Sequence, residues 1–82
     1  GGGDWSVQLG AFSNESAARA ARERHAREHG SDLAGLPLVV LAPRSAPADV
    51  WRLRTGPLSE TAARDLCARL RKRDVDCVPV AE

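Results

Sequence analysis

Two segments of the chain alternate apolar and polar residues with a period of two. This period predicts β-strands that bury one face and leave the other in water. A glycine closes each segment, as is typical of a strand end. The predicted strands cover residues 5–10 and 50–55, with apolar positions Trp5, Val7, Leu9, Trp51, Leu53 and Thr55 and polar positions Ser6, Gln8, Arg52 and Arg54.

The two strands begin two copies of an internal repeat. Each copy continues from its tryptophan strand through a serine to an acidic residue and a pair of alanines. The offset between the copies is 46 residues up to Ser13 and Ser59 and 45 afterwards, so Asn14 is the one extra residue. Two copies are too few for a solenoid and predict a pseudo-symmetric domain whose halves share one sheet.

A helix is predicted after each strand, near residues 14–29 and 59–73. We expect Ser13 and Ser59 at the N-caps, with Ser16 as a further candidate, and Gly30 at the end of the first helix. The apolar stripe of the first helix is thin, which indicates that this helix approaches the sheet closely. The stripes, with helical spacing, comprise Ala17, Ala18, Ala21 and His25 in the first copy and Ala62, Ala63, Leu66, Cys67 and Leu70 in the second.

Further strands are predicted near residues 38–42 and 75–80, which completes the order βαββαβ. This order predicts an α+β, ferredoxin-like (RNP-like) fold, a four-stranded antiparallel sheet with two helices on one face. The two tryptophan strands then lie side by side in the middle, and the other face is open. Residues 1–4 are interpreted as a linker or expression remnant, and residues 5–82 as a single domain.

The length and the net charge of the chain exclude several classes of function. An 82-residue chain is too short for a two-domain enzyme. Its 12 basic and 11 acidic residues nearly cancel, unlike the charges of a strongly cationic nucleic-acid binder. It has no apolar run of about 18 residues that could span a membrane. No serine or cysteine is evidently partnered with a base, so we expect neither catalysis nor a cofactor.

Histidine and aromatic residues suggest two further chemistries. His25 and His29 have the helical spacing of zinc ligands, but no third ligand is evident, so we expect no metal, a partly buried His25 and a surface His29. Trp5, Trp51 and Phe12 would suit base stacking, yet the tryptophans share the parity of the apolar strand residues and are predicted to face the helices. An RNP-like nucleic-acid or protein-interaction module remains the alternative function.

The ordered motifs of the repeat resemble the SPOR (sporulation-related repeat) domain family of bacterial cell-envelope proteins. The resemblance implies the RNP-like fold and non-catalytic binding of peptidoglycan glycan strands (GlcNAc-MurNAc) that lack stem peptides. It further implies a monomeric domain of a larger envelope protein, in the periplasm or cell envelope at the division septum, without membrane contact or nucleic acid. The motifs are WSVQLGAF at 5–12, WRLRTGPL at 51–58, and Ala17, Ala18, Ala62, Ala63, Leu66 and Leu70.

Candidate binding residues come from parity and from the resemblance. Guanidinium and amide groups on the open face suit sugar hydroxyls, N-acetyl carbonyls and carboxylates, although the same pattern is also that of an ordinary solvated strand face. Binding positions of the family map onto Gln8 and Arg52, and also onto Ala11 and Val50. The candidates from parity are Ser6, Gln8, Arg52 and Arg54.

Cys67 and Cys77 are the two cysteines. Cys67 belongs to the inner stripe of the second helix, and the last strand returns beneath that helix. Because the last strand is apolar on both faces, parity leaves open whether Cys77 or Val78 points at the helix. The resemblance to envelope proteins favours a Cys67–Cys77 disulfide, which an oxidising compartment would permit.

Overall fold

The computed structural model describes residues 3–44 and 50–81 of the chain. The predicted linker is therefore described only at positions 3 and 4, and the predicted loop between Pro43 and Pro47 only up to residue 44. The domain end is described only to residue 81. The elements are β1 (Trp5–Phe12), α1 (Glu15–Glu28), α2 (Gly30–Leu33), β2 (Leu38–Leu41), β3 (Trp51–Thr55), α3 (Glu60–Arg71) and β4 (Val78–Ala81).

The predicted α+β fold is confirmed. The described strands form one four-stranded sheet in the order β2-β3-β1-β4, and each neighbouring pair is antiparallel. The two tryptophan strands, β1 and β3, are the central pair. The structure adds one short helix, α2, in the segment that the sequence predicted to be irregular.

One face of the sheet carries the core. Val7 and Leu53 have no solvent exposure and belong to the same cluster as Ala21 from α1 and Leu66 and Leu70 from α3. The α1 contribution is made of small side chains, because Ala18 and Ala21 are the buried apolar residues of that helix. The small residues of this stripe let α1 approach the sheet closely, as the sequence predicted.

A β-bulge interrupts β1 and changes its parity. Gln8 pairs with Arg54, but the next pair is Gly10 with Leu53, so one residue of β1 is extra between them. Gly10 consequently lies on the helix-side face with Phe12. A Cβ on Gly10 would come within 2.8 Å of the Phe12 ring, so a side chain here would displace that ring.

Several element boundaries differ from the predictions. β1 continues to Phe12, because the bulge lets the chain keep pairing with β3 beyond Gly10. β4 begins only at Val78, since its register with β1 ends at Gln8. The prediction that Gly30 ends the first helix is wrong: α1 ends at Glu28, and Gly30 begins α2.

The N-caps are confirmed for one helix and wrong for the other. Ser59 Oγ accepts the backbone N–H of Ala62 at 3.1 Å, as predicted. At α1 the cap is neither Ser13 nor Ser16 but Asn14, whose Oδ1 accepts the N–H of Ala17 at 2.8 Å. The residue that the repeat identifies as extra is thus the residue that starts α1.

Replacing Asn14 by alanine should lower the free energy of unfolding by about 1 kcal/mol, because the Ala17 N–H then loses its side-chain acceptor. Urea unfolding followed by circular dichroism measures this change. Asn14→Ser, which keeps a capping oxygen, is the control and should remain close to the parent. Equal destabilisation by both substitutions would contradict the capping role.

Candidate functional site

The open face of the sheet is the face opposite the helices. Its central row runs across all four strands, because Val39 pairs with Arg54, Arg54 with Gln8, and Gln8 with Val78. Neighbouring strands are about 4.8 Å apart, so this row is about 14 Å long. Two planar polar groups thus occupy the middle of the row, and a valine lies at each end.

Arg54 and Gln8 contact each other within the central row. The Arg54 Nε–H donates to Gln8 Oε1 at 3.1 Å, and both side chains are half-buried. This hydrogen bond holds the guanidinium across β1 and β3. It joins equivalent positions of the two copies of the repeat, both of which the sequence predicted for the open face.

The next row contains Arg52. Its register partners are Leu41 on β2 and Ala11 on β1, and its guanidinium reaches Ala42 O at 3.5 Å. Because Ala11 is exposed and small, it leaves space beside the Arg52 guanidinium. Val50, the remaining candidate, precedes β3 and is half-buried.

Ser6 lies on the open face by register but not at its surface. It pairs with Val80 on β4, two positions before Gln8, and has no solvent exposure. Its Oγ has no hydrogen-bond partner among the described residues. The structure thus brings Gln8, Ala11, Arg52 and Arg54 together at an accessible surface and places Ser6 beneath it.

Val39 and Val78 are residues of this face that parity did not assign. They are 41% and 52% exposed, respectively, the two large apolar side chains that stand out among the described residues. β2 is a run of four apolar residues, so the sequence contains no signal for which of them face outward. The outward orientation of Val39 follows from its pairing with Arg54.

The aromatic side chains lie on the other face. Trp5 and Phe12 pack against the core cluster, and the Arg64 guanidinium of α3 lies 5.1 Å from the Trp5 ring centroid. Trp51 pairs with Phe12 and shares its face. The predicted orientation of both tryptophans agrees with this register.

Cys67 of α3 and Cys77 lie on the helix side and form a disulfide in the structure. Their Cα atoms are 5.8 Å apart, and both residues are buried. Val78, next along the chain, therefore points to the open face. Of the two orientations that parity left open, the structure has Cys77 against the helix and Val78 beside Gln8.

His25 occupies the position in α1 that Leu70 occupies in α3. It is 8% exposed, and its ring centroid is 5.7 Å from that of His29. The Nδ1 atoms of both rings are buried without hydrogen-bond partners among the described residues. Burial, and then the charge of Arg24, lower the pKa of His25 below its ordinary value of 6.5.

His25→Leu should raise the free energy of unfolding by about 1 kcal/mol at pH 7.5, because it removes a buried polar atom that lacks a partner. The unfolded chain binds the proton more readily than the folded domain, so the parent loses stability as pH falls below 6.5. Urea unfolding at pH 7.5 and 5.5 should show a smaller loss in the variant. An equal loss would contradict this account.

The described residues include no group of three or more His, Cys, Asp or Glu side chains placed to hold a metal ion. Among the helices of residues 3–44 and 50–81, none has the length and apolar character needed to cross a membrane.

Comparison with known proteins assigns the chain to a family. A solved structure with the same fold is the solution structure of the peptidoglycan binding domain of the B. subtilis cell wall lytic enzyme CwlC, with a TM-score of 0.71 and 22% identity. The alignment covers 100% of this chain and 91% of that one. No curated protein sequence matches the chain. The model of the SPOR domain family matches residues 1–81, and the chain therefore belongs to the SPOR domain family.

Proposed function

We propose that the domain binds peptidoglycan glycan strands that lack stem peptides, and that it does so through the open face of the sheet. The observation that carries this proposal is the central row, in which the hydrogen-bonded Arg54 and Gln8 lie between Val39 and Val78. Glycan strands offer hydroxyls and acetamido carbonyls as hydrogen-bonding groups and acetamido methyls as apolar ones. Arg54 and Gln8 would match the hydrogen-bonding groups, and Val39 and Val78 would match the methyl groups. The peptidoglycan binding of the CwlC domain supports the same ligand class.

The two arginines supply a reason to prefer strands without stem peptides. An amidase that removes the peptide from muramic acid leaves a lactyl carboxylate, whereas an intact strand has an amide there. Arg52 or Arg54 would pair with this carboxylate by charge-assisted hydrogen bonds. A stem peptide would also project into the sheet face. Preference then comes from attraction to one ligand and steric exclusion of the other.

The proposed role is binding without catalysis. Both cysteines are joined in a disulfide, and the buried Ser6 Oγ has no described partner that could act as a base. Such a domain would bring a larger parent protein of the bacterial cell envelope to the division septum, where amidases expose stem-free strands. Within that protein it would act as a monomer in the periplasm, without membrane contact of its own.

Binding to an RNA strand is the alternative that the RNP-like topology raises. Sequence-specific RNA recognition relies on aromatic side chains that stack on bases across the sheet. Trp5, Phe12 and Trp51, the aromatic residues of the chain, all share the helix-side face. The open face therefore lacks an aromatic stacking platform, and this observation favours the glycan.

Co-sedimentation with cell-wall sacculi tests the proposal. The domain should be retained on amidase-treated sacculi and much less on untreated sacculi. Gln8→Ala should weaken retention about tenfold, because it removes both an amide ligand and the acceptor that holds Arg54. Arg69→Ala, an exposed change on α3, is the control and should bind like the parent. Equal retention on both kinds of sacculi would contradict the preference for stem-free strands.

The ionic-strength dependence of binding separates the glycan from a nucleic acid. Nucleic-acid binding falls steeply with salt, since each neutralised phosphate releases counterions. Glycan binding through hydrogen bonds and one carboxylate should fall only modestly between 50 and 200 mM salt, by about threefold or less. A loss of several orders of magnitude over this range would favour the nucleic-acid function.

A further inference from the structure

A cleft lies at the C-terminal end of β1, beside α1 and the connection from α3 to β4. Its volume is about 460 Å³, and its sides are the C-terminal half of α1, residues 9–12 of β1, and the connection from α3 to β4. The large apolar residues of its lining are Leu9, Phe12 and Val75. Of the candidates for glycan binding it shares only Ala11, and its other lining residues are different from them.

Two histidines with an unpartnered ring nitrogen line the cleft on its α1 side. His25 and His29 both line it, and the Nδ1 atom of each is buried without a described partner. Unpaired buried polar atoms are rare in folded proteins, because each one costs the desolvation of that atom. The other copy of the repeat has a leucine at the position of His25, and a leucine would be sufficient for packing alone.

The charges around the cleft are predominantly negative. Glu28 borders it from α1, and Asp74 and Asp76 border it from the connection. Arg73 also lines the cleft, but its Nε is 2.6 Å from Asp32 Oδ2 and its charge is compensated there. Three carboxylates thus accompany Arg24, the other guanidinium of the lining.

We propose that this cleft binds a primary ammonium group. The carboxylates supply the counter-charge, and a neutral imidazole supplies an acceptor for one of the ammonium N–H groups. The lowered pKa of His25, caused by burial and by Arg24, keeps that ring neutral at pH 7.5. Leu9, Phe12 and Val75 of the lining would contact the carbon chain or ring that carries the ammonium. Two sources have this chemistry, the side chain of a lysine-like diamino acid and an amino sugar without its acetyl group.

Proton NMR titration of the 82-residue chain at pH 7.5 tests this site with two matched pairs of probes. The first pair is Nα-acetyl-lysine methylamide and its Nε-acetylated form, and the second is glucosamine and N-acetylglucosamine. The free amine of at least one pair should shift the ring proton signals of His25 and His29 in a saturable manner. The acetylated partner should not. The pair that responds identifies the source of the ammonium group.

A variant with Glu28→Gln and Asp76→Asn should bind the responding amine about tenfold more weakly, because it removes two counter-charges without changing shape. Asp65→Asn removes a carboxylate of α3 outside the cleft and should bind like the parent. The proposal is overturned if neither amine shifts the histidine signals, if acetylated probes shift them equally, or if Asp65→Asn weakens binding as much.

Discussion

Replacing Arg52 and Arg54 together by alanine should lower the affinity of the domain for stem-free glycan strands about a hundredfold. In the proposed complex each guanidinium contributes charge-assisted hydrogen bonds, and removing such a bond typically costs about 1.5–3 kcal/mol. A factor of ten corresponds to about 1.4 kcal/mol, so two arginines account for a change of this size. Isothermal titration with soluble strands, or quantitative co-sedimentation with amidase-treated sacculi, measures it.

The same double variant should unfold at nearly the parent temperature, since Arg52 and Arg54 lie on the face opposite the core. Arg27→Ala with Arg69→Ala is the charge-matched control, because both residues are exposed and belong to the helices. If the control loses as much affinity as the double variant, binding depends on net charge alone and the assignment to the open face is wrong.

Removing the Cys67–Cys77 disulfide should be the most destabilising change considered. The disulfide links residues ten positions apart, and the chain-entropy model assigns a loop of this length about 3 kcal/mol. For a domain of this size, that loss corresponds to a fall in melting temperature of roughly 12 to 24 °C. Thermal unfolding followed by circular dichroism, with and without a reductant, measures the fall.

The Cys67→Ala/Cys77→Ala variant separates loss of the covalent link from effects of the reductant. It should melt close to the reduced parent, and adding reductant should not change it further. An oxidised parent that melts within a few degrees of this variant would contradict a stabilising disulfide. Glycan binding at 20 °C should persist in the variant as long as it stays folded, because the proposed binding residues lie on the other side of the sheet.

The internal repeat explains why the central sheet could be predicted. Alternation with a period of two places Arg52 and Arg54 on one face and Leu53 on the other, and the structure has them there. β1 is different, because its bulge is a backbone feature with no residue pattern of its own. Strict parity would put Gly10 beside Arg52, whereas the bulge puts Ala11 there.

The flanking strands show where sequence patterns lose information. β2 and the end of the chain are apolar at successive positions, so periodicity cannot distinguish Val39 from Val40 or Cys77 from Val78. Their orientation follows from pairing with β3 and β1, which is long-range. The same holds for Ser6, whose position on the open face was predictable but whose burial depends on the packing of its neighbours.

The most direct test of glycan binding by the open face is an NMR map of the ¹⁵N-labelled domain with soluble glycan strands. Stem-free strands should shift the amide signals of Gln8, Ala11, Arg52, Arg54 and Val78, and those of α1 and α3 should stay in place. Strands that keep their stem peptides should leave these five open-face signals nearly unchanged at the same concentration. Shifts from stem-free strands that are confined to the helix side, or equal open-face shifts from stem-bearing strands, would contradict glycan binding by the open face.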